Sequence, residues 1–438
     1  MPPLQPRPLS RRALLLRAAA TAASALPACR KKPPAAPPAP PPWFLTPLAP
    51  PPDWASLDPF QDSLTRDAFT QLLDSTLTAT PGSWFTHIQI TDSAALIRRA
   101  SRDASLPPYS LRFAASSSSA LPKPESRFWR KASELPPLSN PAKPLADLRI
   151  AIDPGHIGGP WARMEERWYR MGDAAPVQEG NLTLATARAL RPMLESMGAH
   201  VDFVRSSNDP LTHLRPPGLL EAARLSLQQD GTAITDRSLR RESERLFYRT
   251  AEIRERGRRV NTILKPDLVL CLHFNAESWG GDPANPRFST ANHLHVLAHG
   301  CLLPGELTLD DQRLESLKRI IQGIPETELA LCNAVARRMA EATSLPAYRY
   351  PGNSARPVAD NPFVWIRNLL ANRVYECPVV FLEPYVMNNA DIFARIQAGD
   401  YENSREVAGI TRPSIFREYA SGTAAGLADY FRAARPSI

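Results

Sequence analysis

Three near-continuous apolar runs constrain the fold of this chain more than any other feature. They are residues 148–152, 267–272 and 377–382. Such runs are typical of strands buried on both faces of a parallel sheet. Amphipathic segments with the 3.6-residue helical period lie between and after them, at residues 181–197, 328–342 and 414–434. This alternation predicts an α/β fold, an open and mostly parallel sheet with helices on both faces.

The first 29 residues have the features of an export signal. Ser10-Arg11-Arg12 has the twin-arginine form, and a short alanine-rich apolar stretch follows to Ala25. This stretch is too short, and too interrupted by Arg17, to span a membrane. Residues 26–29, Leu-Pro-Ala-Cys, are similar to the lipobox of bacterial lipoproteins, which predicts a membrane lipid anchor on Cys29. The alternative is a simple cleaved signal. Both alternatives predict export to the periplasm.

The region before the sheet divides by composition. Many of the 46 prolines lie near the amino terminus, so residues 30–52 are predicted to form an extended Pro-rich tether. Residues 53–114 are predicted to form a small α+β domain of unknown role, with one helix capped by Thr65 and another capped by Asp92. Residues 115–147, rich in serine, proline and lysine, are predicted to be a linker. The main, catalytic domain then covers residues 148–438.

Candidate catalytic side chains follow each of the three apolar runs. His156 comes just after the first run, His273 just after the second and Glu383 directly after the third. Glu179 stands where the helix after the first strand begins. Loops at the carboxyl ends of strands in open α/β sheets line one crevice. We therefore expect these four side chains to meet.

Their residue types suit a hydrolytic zinc centre. Two imidazoles and one carboxylate are good zinc ligands and leave the fourth tetrahedral position open for water. Zinc lowers the pKa of such a water to about 7. A further carboxylate can accept its proton and pass it to a leaving amine. The sequence therefore predicts Zn²⁺ bound by His156, Glu179 and His273, with Glu383 as the catalytic base.

Four motifs together resemble the zinc-dependent N-acetylmuramoyl-L-alanine amidases of the amidase-3 family. They are Ile152–Gly159 (IDPGHIGG), Glu179 ahead of a leucine-rich helix, His273–Ala276 (HFNA) and Val379–Glu383 (VVFLE). Residues 256–261 and Asn388 also fit the pattern. The resemblance covers most of residues 148–434. It implies the same four site residues and a peptidoglycan substrate, cleaved at the amide between N-acetylmuramic acid and L-Ala of the stem peptide.

The chain departs from the family pattern in several places. The loop between His156 and Glu179 is longer than usual and offers Glu165 and Glu166 as alternative ligands. Glu179 is preferred because the residues after it match the helix that follows the family's glutamate. Pro384-Tyr385 replaces the common Gly-Phe, and we expect it to reshape the pocket wall without removing the carboxylate.

Two insertions, near residues 213–250 and 277–325, have no counterpart in minimal members. Some relatives carry an inserted helix that occludes the zinc until an activator binds, so a protein activator is one expected partner. The arginine- and glutamate-rich run Arg237–Arg259 is predicted to be a solvated helix face with i,i+4 ion pairs.

Other classes of function fit the sequence less well. A net charge of +8 without a nucleic-acid motif does not indicate a nucleic-acid partner. No Cys-x-x-Cys pair is present, which argues against a cysteine zinc site, and Cys271 and Cys377 are predicted to be buried thiols. His293, His295 and His299 are predicted to be structural rather than a second metal site. Two alternatives stay open, another zinc peptidase of the cell wall and a non-catalytic wall-binding scaffold of the same fold.

Overall fold

The computed structural model describes residues 43–122, 127–278 and 286–436. The predicted export signal and residues 30–42 of the predicted tether lie outside these ranges. The described residues belong to one compact unit. No helix in the described ranges is long and apolar enough to cross a membrane.

The helices and strands follow the predicted alternation from Arg149 onward. The α-helices are α1 Arg66–Leu72, α2 Glu179–Ser196, α3 Leu220–Gln229, α4 Asp236–Arg245, α5 Glu252–Arg259, α6 Pro304–Leu307, α7 Asp310–Gln322, α8 Ile324–Thr343, α9 Leu370–Val374, α10 Ala390–Gln397 and α11 Ile415–Ala434. The strands are β1 Ile88–Ile90, β2 Ala94–Ile97, β3 Tyr109–Arg112, β4 Arg149–Pro154, β5 Trp168–Tyr169, β6 Val177–Gln178, β7 His200–Phe203, β8 Leu268–Leu272, β9 Leu294–Ala298, β10 Arg356–Val358, β11 Asn361–Ile366, β12 Val379–Pro384, β13 Arg405–Val407 and β14 Ile410–Arg412.

A seven-stranded sheet in the order β10-β11-β9-β12-β8-β4-β7 forms the centre of the described chain. The neighbours β12, β8, β4 and β7 are parallel, and β9 runs antiparallel to β12. β11 is parallel to β9, and β10 is antiparallel to β11. The prediction of an open, mostly parallel sheet is confirmed, with a reversed pair of strands that the sequence did not reveal.

Helices cover both faces of this sheet, as predicted. Leu270 and Leu382 point to the face covered by α2, α8 and α11. Cys271 points to the opposite face, beside Val260 and Tyr375 at the ends of α5 and α9. Successive strand residues point to opposite faces, so a strand buried on both sides needs an unbroken apolar run. The three apolar runs of the sequence therefore became β4, β8 and β12.

The segment of residues 53–114 contains a three-stranded antiparallel sheet in the order β1-β2-β3. Thr65 caps α1 as predicted, accepting a hydrogen bond from Ala68 N. The helix predicted after Asp92 is wrong, because Ala94–Ile97 pairs with both β1 and β3 as strand β2. The segment also shares a hydrophobic cluster with Leu317 and Ile320 of α7. It thus packs on the second insertion.

The described part of the predicted tether packs against the same helix. Phe44 N donates to Asp310 Oδ2 at 2.8 Å, and Thr46 N donates to Asp311 Oδ1 at 2.8 Å. Both carboxylates lie in the first turn of α7, where backbone N–H groups make negative charge favourable. Residues 43–46 are therefore fixed to the compact unit. The tether stays a prediction for residues 30–42.

The predicted linker of residues 115–147 is also tied to the sheet. Trp129 is buried, and Arg130 donates through Nη2 to Asp267 Oδ2 at 2.6 Å. Arg149 Nη2 donates to Asp267 Oδ1 at 3.1 Å. Burial alone would raise the pKa of Asp267, but the hydrogen bonds from both arginines outweigh it and lower that pKa. The carboxylate stays ionised and fastens this segment beside the start of β8.

Candidate metal centre

The loop after β4, the start of α2 and the end of β8 bring His156, Glu179 and His273 together. One potential ligand atom from each lies within 4.8 Å of the other two, and no other such group of His, Cys, Asp and Glu occurs in the described ranges. Glu179 Oε2 is 3.3 Å from His156 Nε2, and Glu179 Oε1 is 3.1 Å from His273 Nδ1. The Glu179 side chain is 2% exposed, whereas the histidines are 18% and 15% exposed. Three of the four predicted site residues therefore form one cluster that solvent can reach.

This cluster fits a zinc ion. Two imidazoles and one carboxylate are the ligand set of many catalytic zinc sites and leave one position open. Gly155 of the IDPGH motif allows His273 to lie close to this loop. A Cβ on Gly155 would lie 2.3 Å from His273 Cε1, so a side chain at this position would push His273 away. The glycine before His156 therefore lets the two histidines share a site.

The charge states of the three groups also suit a cation. Burial alone would raise the pKa of Glu179, but the neighbouring His156, His273 and Arg167 outweigh it and lower that pKa to about 2. Burial lowers the pKa of His156, against the opposing effect of Glu179. Burial would also lower the pKa of His273, but its hydrogen bond to Glu179 and the charge of Glu383 raise it. The centre thus offers one firmly ionised carboxylate and a neutral His156.

Glu383 lies at the end of β12, directly beside this cluster. His273 N donates to Leu382 O at 3.0 Å, so His273 and Glu383 lie at the ends of neighbouring strands. The Glu383 side chain is half-buried and is not a member of the ligand group. Burial raises its pKa to about 7, with His273 opposing and Glu179 reinforcing the shift. A carboxyl group that titrates near neutral pH can both accept and return a proton.

The replacement Pro384-Tyr385 has a different effect from the one expected. Tyr385 has a positive φ of 60° and is fully buried. Its hydroxyl donates to Glu418 Oε1 at 2.8 Å, and its ring stacks on Phe274 with centroids 5.8 Å apart. The side chain therefore belongs to the core between the sheet and α11, so the prediction that it reshapes the pocket wall is wrong.

Two buried arginines that the sequence analysis missed hold the loop carrying His156. Arg256 donates to Asp153 Oδ1 at 2.9 Å and to His156 O at 2.7 Å. Arg205 donates to Pro154 O at 2.9 Å and to Gly180 O at 2.7 Å, tying the loop to the start of α2. His156 has a positive φ of 58°, which the surrounding bonds must maintain. Together the two guanidinium groups fix the backbone on both sides of His156 and Glu179.

The prediction of a solvated face for Arg237–Arg259 is wrong for its carboxyl-terminal part. Glu252 and Arg256 are buried, and Arg256 Nε donates to Glu252 Oε1 at 2.9 Å. The predicted i,i+4 spacing is present, but the pair faces the carbonyl groups of the ligand loop instead of water. The only sequence signal for Arg256 is its place in residues 256–261, which fit the family pattern. No comparable signal marked Arg205.

The two alternative ligands in the long loop lie outside the cluster. Glu166 is exposed and pairs with Arg241 of α4 at 3.2 Å. Glu165 is buried behind His156, on the side away from Glu179. The structure therefore groups Glu179, and neither alternative, with the two histidines.

The first insertion packs beside this loop. Helices α3 and α4 and the residues after them form a hydrophobic cluster with Ile157, in which Phe247 contacts Trp161 with ring centroids 5.1 Å apart. His156 and His273 keep the partial exposure given above. The insertion thus supports the ligand loop from the side.

The three histidines in and around β9, His293, His295 and His299, have separate partners, as expected for structural residues. His293 Nε2 is 3.3 Å from Glu277 Oε1, His295 Nε2 is 3.0 Å from the Tyr350 hydroxyl, and His299 Nε2 is 3.0 Å from Ser316 Oγ. They form no metal-binding group among the described residues. The four described cysteines are buried and unpaired, which confirms the predicted thiols.

Comparison with known proteins gives the following result. No protein-family model matches the chain, and no curated protein matches it. Similar solved structures are N-acetylmuramoyl-L-alanine amidases. Ami1 from Mycobacterium abscessus is 15% identical over 65% of this chain and 99% of its own, with a TM-score of 0.36. The CwlD amidase from Clostridioides difficile, solved in complex with the GerS lipoprotein, is 12% identical over 66% of this chain and 100% of its own, with a TM-score of 0.37.

The catalytic domain of CwlV from Bacillus (Paenibacillus) polymyxa is 16% identical over 65% of this chain and 98% of its own, with a TM-score of 0.36. At these identities and TM-scores no activity is transferred from these proteins to the chain. They carry the same enzyme name as the family that the four sequence motifs resemble.

Proposed function

We propose that this chain is a zinc-dependent N-acetylmuramoyl-L-alanine amidase that hydrolyses peptidoglycan. The observation that carries the proposal is the meeting of His156, Glu179 and His273 in one cluster, with Glu383 on the neighbouring strand end. The four motifs that resemble amidases of this kind supply the substrate class. A zinc ion held by the three ligands would act as a Lewis acid on the scissile carbonyl.

The chain's own residues account for the proton transfers. Glu383 accepts a proton from the attacking water and delivers it to the amide nitrogen as the C–N bond breaks. The products are the lactyl carboxylate of N-acetylmuramic acid and a stem peptide with a free L-Ala amino group. Arg205 and Arg256 hold the backbone around His156 and keep the ligands in place during these steps.

The proposed bond is tested by product analysis on purified sacculi. We expect the zinc-loaded protein to release intact stem peptides whose new amino terminus is L-Ala, detected by amino-group labelling and mass spectrometry. Release of D-Ala alone would identify a carboxypeptidase. Binding to sacculi without any product would identify a scaffold. Either result contradicts the proposal. A protein activator is expected to raise the rate of this hydrolysis without changing its products.

We further propose that the protein is exported to the periplasm by the twin-arginine route and anchored through a lipid on Cys29. The support is the sequence of residues 10–29 alone. We expect the wild-type protein in the membrane fraction and Cys29→Ser in the soluble periplasmic fraction, as measured by immunoblotting. Equal amounts of both proteins in the soluble fraction would instead indicate a simple cleaved signal.

A further inference from the structure

We propose that Glu165 is a positioning residue that sets the orientation of His156 for metal binding. The two ring nitrogens of His156 face two different carboxylates. Nδ1 lies 3.5 Å from Glu165 Oε1, and Nε2 lies 3.3 Å from Glu179 Oε2. Glu165 thus contacts the ring nitrogen opposite the one in the ligand cluster. The metal named here rests on the proposed function.

Besides His156, the Glu165 carboxylate contacts two backbone N–H donors. Ile157 N donates to both carboxylate oxygens, at 2.8 and 3.1 Å, and Gly158 N donates to Oε2 at 2.9 Å. The Glu165 side chain is 1% exposed, so water does not compete for its lone pairs. A carboxylate held in this way favours a proton on the imidazole nitrogen that faces it. His156 therefore carries its proton on Nδ1.

This tautomer leaves only a lone pair on Nε2, pointing toward Glu179. An ionised carboxylate also offers only lone pairs. Glu179 Oε2 lies 3.3 Å from Nε2 and also 3.1 Å from Arg167 Nε. A metal ion bound to both Nε2 and this carboxylate would remove the repulsion between the two acceptors. Zinc-bound histidines commonly donate their other N–H to a carboxylate, which fixes the tautomer and raises the basicity of the ligand. Glu165, His156 and Glu179 have this arrangement.

The contact between Glu165 and His156 explains why the loop from His156 to Glu179 is unusually long. The residues between His156 and Glu179 turn back so that Glu165 N donates to Trp161 O at 3.0 Å. Trp161 and Met164 pack on the cluster built by the first insertion. The insertion thus holds the turn, and the turn brings Glu165 behind His156.

The test compares three glutamine variants of the full mature protein. Glu165→Gln places an amide N–H₂ where the present neighbours are all donors. Glu166→Gln is the matched control on the adjacent, exposed residue, and Glu179→Gln removes a ligand. Zinc affinity is measured by competition with a chromogenic chelator, ligand geometry by the visible absorption of the Co²⁺-substituted protein, and apo stability by thermal unfolding.

We expect Glu165→Gln to weaken zinc binding about 10–100-fold and to shift the Co²⁺ spectrum. Glu166→Gln should match the wild type, and Glu179→Gln should hold no stoichiometric zinc. Glu165→Asp, which keeps the charge but withdraws it by one methylene group, should weaken zinc binding in the same direction. It also serves if the glutamine variant fails to fold.

Three results would overturn the inference. The first is wild-type affinity and spectrum in Glu165→Gln, or in Glu165→Asp if the glutamine variant does not fold. The second is a lower apo unfolding temperature with unchanged zinc affinity, which would make Glu165 only a backbone cap. The third is a loss of zinc as complete as in Glu179→Gln, which would make Glu165 a ligand. None of these measurements uses peptidoglycan, so a failure of the proposed amidase activity is detected separately.

Discussion

Replacing Glu383 by glutamine is expected to lower the rate of amide hydrolysis by about 10²–10⁴-fold without changing the zinc content. Glutamine has nearly the same shape but cannot accept the proton of the attacking water. Glu383 is not in the ligand cluster, so zinc should remain bound. The substitution also removes an ionisable group whose burial opposes its charge, so the fold should tolerate it.

The measurement is the initial rate of L-Ala amino-terminus formation on sacculi, with zinc content determined by mass spectrometry of the same sample. Glu402→Gln, on an exposed carboxylate outside the cluster, is the matched control and should keep wild-type activity. Wild-type activity in Glu383→Gln would show that another group is the base. A parallel loss of zinc would show that Glu383 belongs to the ligand set.

Replacing His273 by alanine is expected to remove stoichiometric zinc and at least about 10³-fold of activity, because several kcal/mol of transition-state stabilisation goes with the metal. The same variant should lose the stabilisation that zinc gives to the folded protein. At a free zinc concentration of about 1,000 times Kd, binding adds about 4 kcal/mol to the free energy of unfolding. In a chain of 438 residues that is a rise of roughly 5 °C in the unfolding temperature.

Thermal unfolding with and without added zinc, and after treatment with a chelator, measures this effect. The wild type should lose activity on chelation and regain it with zinc, whereas His273→Ala should respond to neither. His213→Ala is the matched control, since His213 is exposed and lies outside the cluster. A zinc-dependent rise in the unfolding temperature of His273→Ala would place the metal elsewhere.

The site could be predicted because its residues follow elements with strong sequence signals. The apolar runs before His156, His273 and Glu383 can only be satisfied as strands buried on both faces, and parallel strands bring their ends to one edge. No apolar run directly precedes Glu179, which was chosen because the residues after it match the helix of the family pattern. The structure brings His156, Glu179 and His273 together, and their role as zinc ligands stays a prediction.

Other features depend on contacts between segments that are distant in the sequence, so the local sequence gives few signals for them. Arg205 and Arg256 are buried because they donate hydrogen bonds to loop carbonyl groups. These carbonyls belong to residues far away in the sequence, so the residues next to each arginine do not indicate the contact. Ala94–Ile97 is short and apolar, so its pairing with β1 and β3 decided its conformation. The sequence places the Glu165 carboxylate near His156, but only the structure shows which ring nitrogen of His156 it faces.

Because of the reversed direction of β9, the site is bordered both by segments that leave strands and by a segment that enters a strand. Because β9 runs against β12, Glu383 pairs with His295 at the beginning of β9. The polypeptide entering β9 therefore borders the site, while the polypeptides leaving β4 and β8 carry the proposed zinc ligands His156 and His273. Replacements in residues 286–293, which lead into β9, can therefore alter the border of the site without moving His156 or His273 at the ends of β4 and β8.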